Sequence, residues 1–311
     1  MQTAVNTAAI PQGPQRLSSL AAAARNSSSG LILVGPAALF FLVVFLIPVA
    51  LMIRFSLYRQ LENGDLSHEI TFVNYARLLS VDLYRKALFT TLRVSVLTTL
   101  ISIVLAYPLA LVMSRGPASV SRLLTIVVIA PMLINVVVRA YAWRVILANS
   151  GQGMLNWALT GLGLGEAHLL YTEWAVIIGS VHVFLSTMVL PLAAALGKID
   201  PAVEEAARTL GASAFAVFRR ITLPLSVPGL AVGSSLVFSL TASAFVAPAL
   251  LGGGSAVMLG PLVQEQILSV FDWPFGATLA TALIIVVMAA NLLSVGIVER
   301  RFRSRMRGVA T

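Results

Sequence analysis

D-P-A-V-E-E-A-A-R-T-L-G-A-S-A-F-A-V-F-R-R-I-T-L-P, from Asp200 to Pro224, is the one long charged and amphipathic interruption in the second half of an otherwise apolar chain. Asp200 is an N-cap residue type and Pro201 suits the first helical position. Glu204 and Glu205 then fall in the first turn, where carboxylates favour the positive end of the helix dipole. Gly211 is the residue type that tolerates a left-handed stop. Ser213 is placed to cap a second short helix that carries Phe215 and Phe218 on one side and closes at Arg219 and Arg220. The stretch therefore predicts a helix, a glycine turn and a second helix, set between two membrane spans.

The composition around it agrees. With 58% hydrophobic residues, 11% charged residues and a mean hydropathy of +0.93, the chain has too little charge to cover a soluble surface and reads as a polytopic membrane protein. The absence of cysteine removes disulfides, a thiolate nucleophile and cysteine metal sites. Residues 1–30 are polar, with Gln, Ser and Asn, and are expected to form a disordered tail.

Uncharged apolar runs recur at close to the length of about 20 residues that crosses a bilayer as a helix. They cover residues 31–53, 94–113, 123–147, 175–197, 221–252 and 275–298, which predicts six spans and an all-α fold. Arg139 and Arg144, beside Tyr141 and Trp143, fall in the last turns of the third run and are expected to snorkel to the headgroups. Six spans put both termini on one side. Arg16, Arg25, Arg115, Arg122, Lys198, Arg208, Arg219, Arg220 and the basic run at 300–311 share that side, whereas the other side is balanced in charge. The positive-inside rule then places both termini and the Asp200 segment in the cytoplasm. The loop from Arg54 to Arg93 is also rich in basic residues, and Phe72, Tyr75, Leu78, Leu79 and Leu83 lie at helical spacing within it.

Prolines at 48, 108, 131, 191, 224 and 248 lie in or beside the runs, and each removes a backbone hydrogen bond. Gly229 and Gly233 offer a small-residue face for close helix packing, within the subunit in the simplest case. Asn135 and His182 are the polar residues deepest in the runs, where a polar group seeks a partner across helices or a cavity. The three histidines have no second metal ligand at helical spacing, so no metal site is expected.

Glu205, Ala206, Ala207, Gly211, Ile221, Leu223 and Pro224 read E-A-A, three residues, G, nine residues, I, one residue, L-P. This pattern resembles the signature of the permease subunits of binding-protein-dependent ABC importers, and the likeness runs over 31–300. The resemblance implies a type I importer permease fold in a bacterial inner membrane. It also implies that the Asp200 segment, with Glu204, is a coupling helix that docks on a separate ATPase, with Glu205 as polar contact, Gly211 as turn, and Phe215 and Phe218 as an aromatic ridge. The implied partners are ABC ATPase subunits, a second and different permease, and a solute-binding protein. A nucleic-acid partner is not expected. No cofactor is expected on this chain, and ATP is used by the partner. Consistent with that, Gly197-Lys198 is followed by Ile199 and lacks the upstream glycine of a phosphate-binding loop, and neither H-E-x-x-H nor G-x-S-x-G occurs.

R-A-Y-A-W-R at Arg139 to Arg144, the turn from Gly151 to Asn156, A-P-A-L-L-G-G-G-S from Ala247, Q-E-Q-I-L from Gln264 and D-W-P-F-G-A from Asp272 are similar to the spermidine/putrescine branch, in particular the first of its two permeases. Related branches carry opine-type compounds, ferric ion and other small solutes. A polyamine needs carboxylates and aromatic faces in place of water. Glu173 beside Trp174, Glu265, and Asp272 beside Trp273 supply that chemistry near the outer span ends. With Asn135 and His182 they form the expected solute path. A secondary carrier is disfavoured because the span centres hold no carboxylate for ion coupling. A membrane enzyme is disfavoured because no acid, base and nucleophile occur together.

Overall fold

The computed structural model describes residues 27–61, 65–67, 69–151 and 153–307, with side chains of 27–33, 295 and 297–307 left aside. The expected tail therefore lies outside the described residues as far as residue 26, and Ser27 to Gly30 are already helical. Residues 308–311 also lie outside them.

The chain divides into two compact units at Arg54 and Phe55. The first holds helix α1 (Ser27–Phe41), a π-helical turn at Leu42–Leu46 and most of α2 (Ile47–Ser56). Its apolar stretch, Val34–Ser56, is long enough to cross a membrane. The π turn contains Val44, whose carbonyl would meet the ring of Pro48 in a regular helix, so the wider turn absorbs a bond that proline cannot make.

The second unit opens with a two-residue antiparallel hairpin, β1 (Arg59–Gln60) with β2 (Leu66–Ser67), the one departure from an all-α fold among the described residues. Helix α3 (Val73–Ser80) follows in the loop where helical spacing was seen. It buries Leu78 and Asn74, and Asn74 donates to the carbonyls of Ser56 and Tyr58 at 3.2 and 2.7 Å. Helix α4 (Asp82–Arg115) is 34 residues long, about 51 Å at 1.5 Å per residue, and extends well beyond the expected span 94–113.

Helix α4 packs along α8 (Glu173–Gly197), and α11 (Leu223–Ala242) packs against both. The contact face of α4 is a ladder of small residues: Ala87, Thr91, Ser95, Ser102, Ala106 and Ala110 are buried at helical intervals. The hydroxyls of Thr91, Ser95 and Thr99 donate to carbonyls four residues back, so their polarity is satisfied within the helix while the backbones approach closely. Gly229 and Gly233 do the same for α11. A Cβ at Gly229 would lie 2.7 Å from the Pro191 carbonyl oxygen and 2.4 Å from Cβ of Ala195. The small-residue face therefore packs within the subunit, as its simplest reading had it.

Two spans differ from their apolar runs. The third is not one helix: α5 (Ala118–Ile129) and a 3-10 turn (Ala130–Leu133) meet α6 (Val136–Ile146) at a bend of 100°. Pro131 opens the 3-10 turn, Ile134 is extended, and Asn135 restarts the helix. Apolarity hid the break because every residue around it except Asn135 is apolar. The fifth stops at Ala242, ten residues before Gly252, because Ser243 turns its hydroxyl onto the carbonyls of Ser239 and Leu240, and Pro248 begins a separate π turn (Pro248–Gly252). Among the described residues, five helices are thus long and apolar enough to span, or six if the bent pair counts as one.

The remaining elements are α7 (Met154–Gly161), the surface helices α9 (Pro201–Thr209) and α10 (Ala214–Val217), α12 (Leu259–Leu268) and α13 (Trp273–Arg307). The last of these carries its helix into the basic residues beyond Glu299.

Candidate functional site

The Asp200 segment folds from its own local chemistry. The Asp200 carboxylate accepts the amide hydrogen of Ala202 at 2.9 Å and Pro201 takes the first position of α9. At the other end, Gly211 has φ +87°. Its amide donates to Arg208 and that of Ala212 to Ala207, the paired bonds of a Schellman stop. Ser213 caps α10 through the amide of Ala216 at 3.3 Å. From there the helix does not close at Arg219 and Arg220 as the sequence suggested. It runs through a π turn at Phe218–Thr222 straight into α11, so that Ala214–Ala242 is one continuous apolar helix. Pro224 is the reason for the π turn. Its ring would collide with the Arg220 carbonyl, and the wider turn moves that carbonyl aside without ending the helix.

Glu204 and Glu205 are neighbours with opposite surroundings. Glu205 is exposed. Glu204 turns inward, with a side chain only 12% exposed. Its Oε1 meets Nη2 of Arg115, at the end of α4, at 3.3 Å and accepts the hydroxyl hydrogen of Thr222 at 2.9 Å. The same Arg115 nitrogen donates to the Ile199 carbonyl at 2.9 Å. Beneath them Tyr107 and Ser226 share a hydroxyl bond of 2.9 Å, and the Tyr107 ring meets Phe218 edge-on at 5.2 Å.

Phe218 therefore belongs to the interior and does not form a ridge with Phe215, which is 69% exposed. What is exposed around the Gly211 turn is a different apolar pair, Phe215 and above all Leu210 at 89%. Ala206 is exposed and Ala207 partly so, while Ile221, Leu223 and Pro224 are half-buried at the root of α11. Arg115, Thr222 and Tyr107 were not singled out from sequence, because the partner of Arg115 lies 89 residues away.

The residues expected along a solute path are not brought together. Asn135 spends its side chain as the cap of α6, accepting the Val137 amide hydrogen at 2.8 Å. His182 packs edge-on against Trp143 at 5.6 Å, with its Nδ1 buried and unpaired. Arg139 does not snorkel outward but donates to the Val183 carbonyl, midway along α8, at 3.3 Å. Toward the other end of α8, Glu173 is ion-paired with Arg93. Asp272 pairs with Arg77 at 2.8 Å and also accepts the Phe275 amide hydrogen at 3.1 Å, while the Arg77 guanidinium lies 4.0 Å from the Phe275 ring centroid. Trp273 is exposed. Glu265 is exposed too, and no cation lies within 4.0 Å of it among the described residues.

Spanning helices packed through small residues, with a capped helix and an apolar turn displayed at one end, define a multi-pass membrane subunit built to meet another protein. A family model described as binding-protein-dependent transport system inner membrane component matches residues 98–307, and the chain belongs to that family. It is 38% identical over 218 residues to the spermidine/putrescine transport system permease protein PotB of Escherichia coli (strain K12), a match that covers 70% of this chain and 78% of the relative. To PotB of Haemophilus influenzae it is 35% identical over 240 residues, 76% of this chain and 83% of the relative. Among solved structures, a bacterial ABC transporter involved in the import of the acidic polysaccharide alginate superposes with a TM-score of 0.70, at 22% identity over 89% of this chain and 96% of that one. That likeness concerns the fold, which is the type I importer permease fold expected from the sequence. The chain is a multi-pass permease subunit of the inner membrane.

Proposed function

We propose that this chain is one of two different permeases lining the path of an ATP-driven importer for polyamines of the spermidine and putrescine class. The α9 end faces the cytoplasm, where the exposed apolar turn seats in a separate ATPase that performs all the hydrolysis. A solute-binding protein delivers the solute at the opposite end. The observation that carries the docking site is Leu210, 89% exposed beside a glycine-stopped helix, with Phe215 exposed just past the same turn and Glu205 at the surface. An apolar group of this kind outside the bilayer is covered in the working state, and a partner protein is what covers it. The polyamine reading is supported by the relatives' names and by Glu265, which of Glu173, Glu265 and Asp272 is the one with no ion pair among the described residues, near Trp273 in sequence.

ATP binding draws two ATPases together, the seated turns move with them, and the two permeases pass from inward-open to outward-open. The test is uptake of labelled spermidine into proteoliposomes holding this chain, the companion permease, the ATPase and the binding protein. Uptake is expected to require ATP and to fall about tenfold with Glu205→Ala, in line with the loss of a charged contact worth 1–3 kcal/mol. Uptake that proceeds without ATP or partners would overturn the assignment in favour of a secondary carrier.

A further inference from the structure

The interior half of the α9 surface carries a second role that the exposed half does not. Three elements converge on a single carboxylate: α9 supplies Glu204, the end of α4 supplies Arg115, and the π turn at the root of α11 supplies Thr222. Arg115 extends the link to the Ile199 carbonyl, just before the cap of α9. The side chains of Glu204 and Arg115 are 12% and 22% exposed, so water does little to screen them. We propose that Glu204 is the positioning residue that transmits the displacement of α9 to α4 and α11 together, and that it makes no contact with the ATPase itself. This rests on the importer reading and deepens it: Glu205, one residue away and exposed, faces the partner, while Glu204 faces the spans that must move.

The geometry favours transmission because one carboxylate oxygen holds groups of two different elements at once, Arg115 at 3.3 Å and Thr222 at 2.9 Å, so that a displacement of α9 reaches both. Without the carboxylate, α9 stays attached to the membrane helices through the chain at Lys198–Asp200, with the Arg115 bond to the Ile199 carbonyl, and through the Gly211 turn. Force on α9 is then taken up by those joints. With the carboxylate in place, α9, the last turn of α4 and the first turn of α11 move as one body.

The chain has no cysteine, so paired labels can be introduced without removing native ones. The complete transporter, reconstituted in proteoliposomes, is compared for wild type, Glu204→Gln and Thr222→Val, each with and without spin labels at Ala202→Cys on α9 and Val112→Cys in the last turn of α4, where Val112 is exposed. Two quantities are read: ATP hydrolysed per solute moved, and the distance between labels in the nucleotide-free and ATP-bound states. Transmission predicts that Glu204→Gln raises the ATP-to-solute ratio about tenfold, a coupling loss of ordinary size. It also predicts a label distance that is constant across states in the wild type and nucleotide-dependent in the variant. Thr222→Val, which removes one hydroxyl and keeps the shape, is expected to move both readouts in the same direction by a smaller amount. An unchanged ratio and constant label distance in both variants overturn the proposal, and so does loss of the ATPase from the purified Glu204→Gln complex, which would make Glu204 an outward contact. If the solute assignment fails instead, wild type moves no spermidine while the label distances still report on the link.

Discussion

Gly211 is the residue on which the displayed turn depends, because its φ of +87° is a conformation that costs a residue with a Cβ about 1–2 kcal/mol. No atom lies within 4 Å of the position where a Cβ would stand, so the penalty at this site is one of backbone strain rather than collision. Gly211→Val is therefore expected to misplace Leu210 and Phe215 while leaving the membrane helices folded. In proteoliposomes, uptake falls severalfold and thermal unfolding of the permease pair is unchanged, whereas Gly211→Asn, which tolerates the left-handed region, retains most of the uptake. Full uptake by the valine variant would show that the turn does not set the docking geometry. At this scale the sequence was informative wherever the chemistry was local. Asp200, Ser213 and Gly211 do as cap and stop residues what their types and spacing imply. It was silent on which of two adjacent glutamates turns inward, because a nine-residue helix with acids at consecutive positions does not say where the rest of the chain lies, and the cation that decides it comes from the far end of another span.

Among the elements, the pairing of α8 with α11 illustrates how closely these helices approach. Gly229 faces the Pro191 carbonyl and Ala195, and Gly233 faces Met188, with any added Cβ within 2.4–2.7 Å of an existing atom. Backbone lines much of this contact and cannot retreat as the end of a side chain can. Gly229→Val is expected to lower the apparent melting temperature of the detergent-purified permease pair, the overpacked contact costing about 1–3 kcal/mol. Gly197→Ala, where nothing lies within 4 Å of the new Cβ, serves as the neutral control. A melting temperature unchanged by Gly229→Val would mean that the two helices separate at this point. The π turns follow a related logic: Leu42–Leu46 and Phe218–Thr222 each contain the carbonyl that a following proline, Pro48 or Pro224, would strike. The prolines were visible in the sequence, but the local widening of the helix was not. The same holds for the third span, whose apolar run gave no sign that Pro131 and Asn135 split it at 100°. Hydropathy counts what the bilayer accepts and is blind to chain direction. The small-residue ladder from Ala87 to Ala110 was legible in principle as small residues at intervals of about four, but the same spacing does not say which helix packs against it.

For the whole molecule, the two faces of α11 set what the subunit can do alone. One face carries Ser226, Gly229, Gly233, Val237 and Thr241, all buried within the chain. The strip beside it carries Leu225, Val232, Leu236 and Leu240, at intervals of seven, four and four, each between 39% and 53% exposed. At the α9 end this exposed strip borders a groove of about 510 Å³ lined also by Pro191, Lys198 and Val203. Among the described residues the groove is walled by α8, α11, Val203 and the link before it, which leaves it for a neighbouring subunit to complete. If the companion permease closes it, a cysteine placed at Val232 changes surroundings when the pair assembles. With no native cysteine to interfere, Val232→Cys is expected to react readily with a lipid-soluble maleimide when this chain is reconstituted alone. With the proposed companion permease present it should react at least about tenfold more slowly, since a packed interface excludes the reagent to a degree comparable with a protein interior. Leu293→Cys on α13, 67% exposed and on another helix, gives the rate for a position left facing lipid. Equal protection of both positions would mean that the loss of reactivity is not specific to this face of α11, which overturns the assignment. Equal rates at Val232 with and without the companion would mean that this face of α11 meets lipid throughout, and that the second wall of the path is built against a different helix.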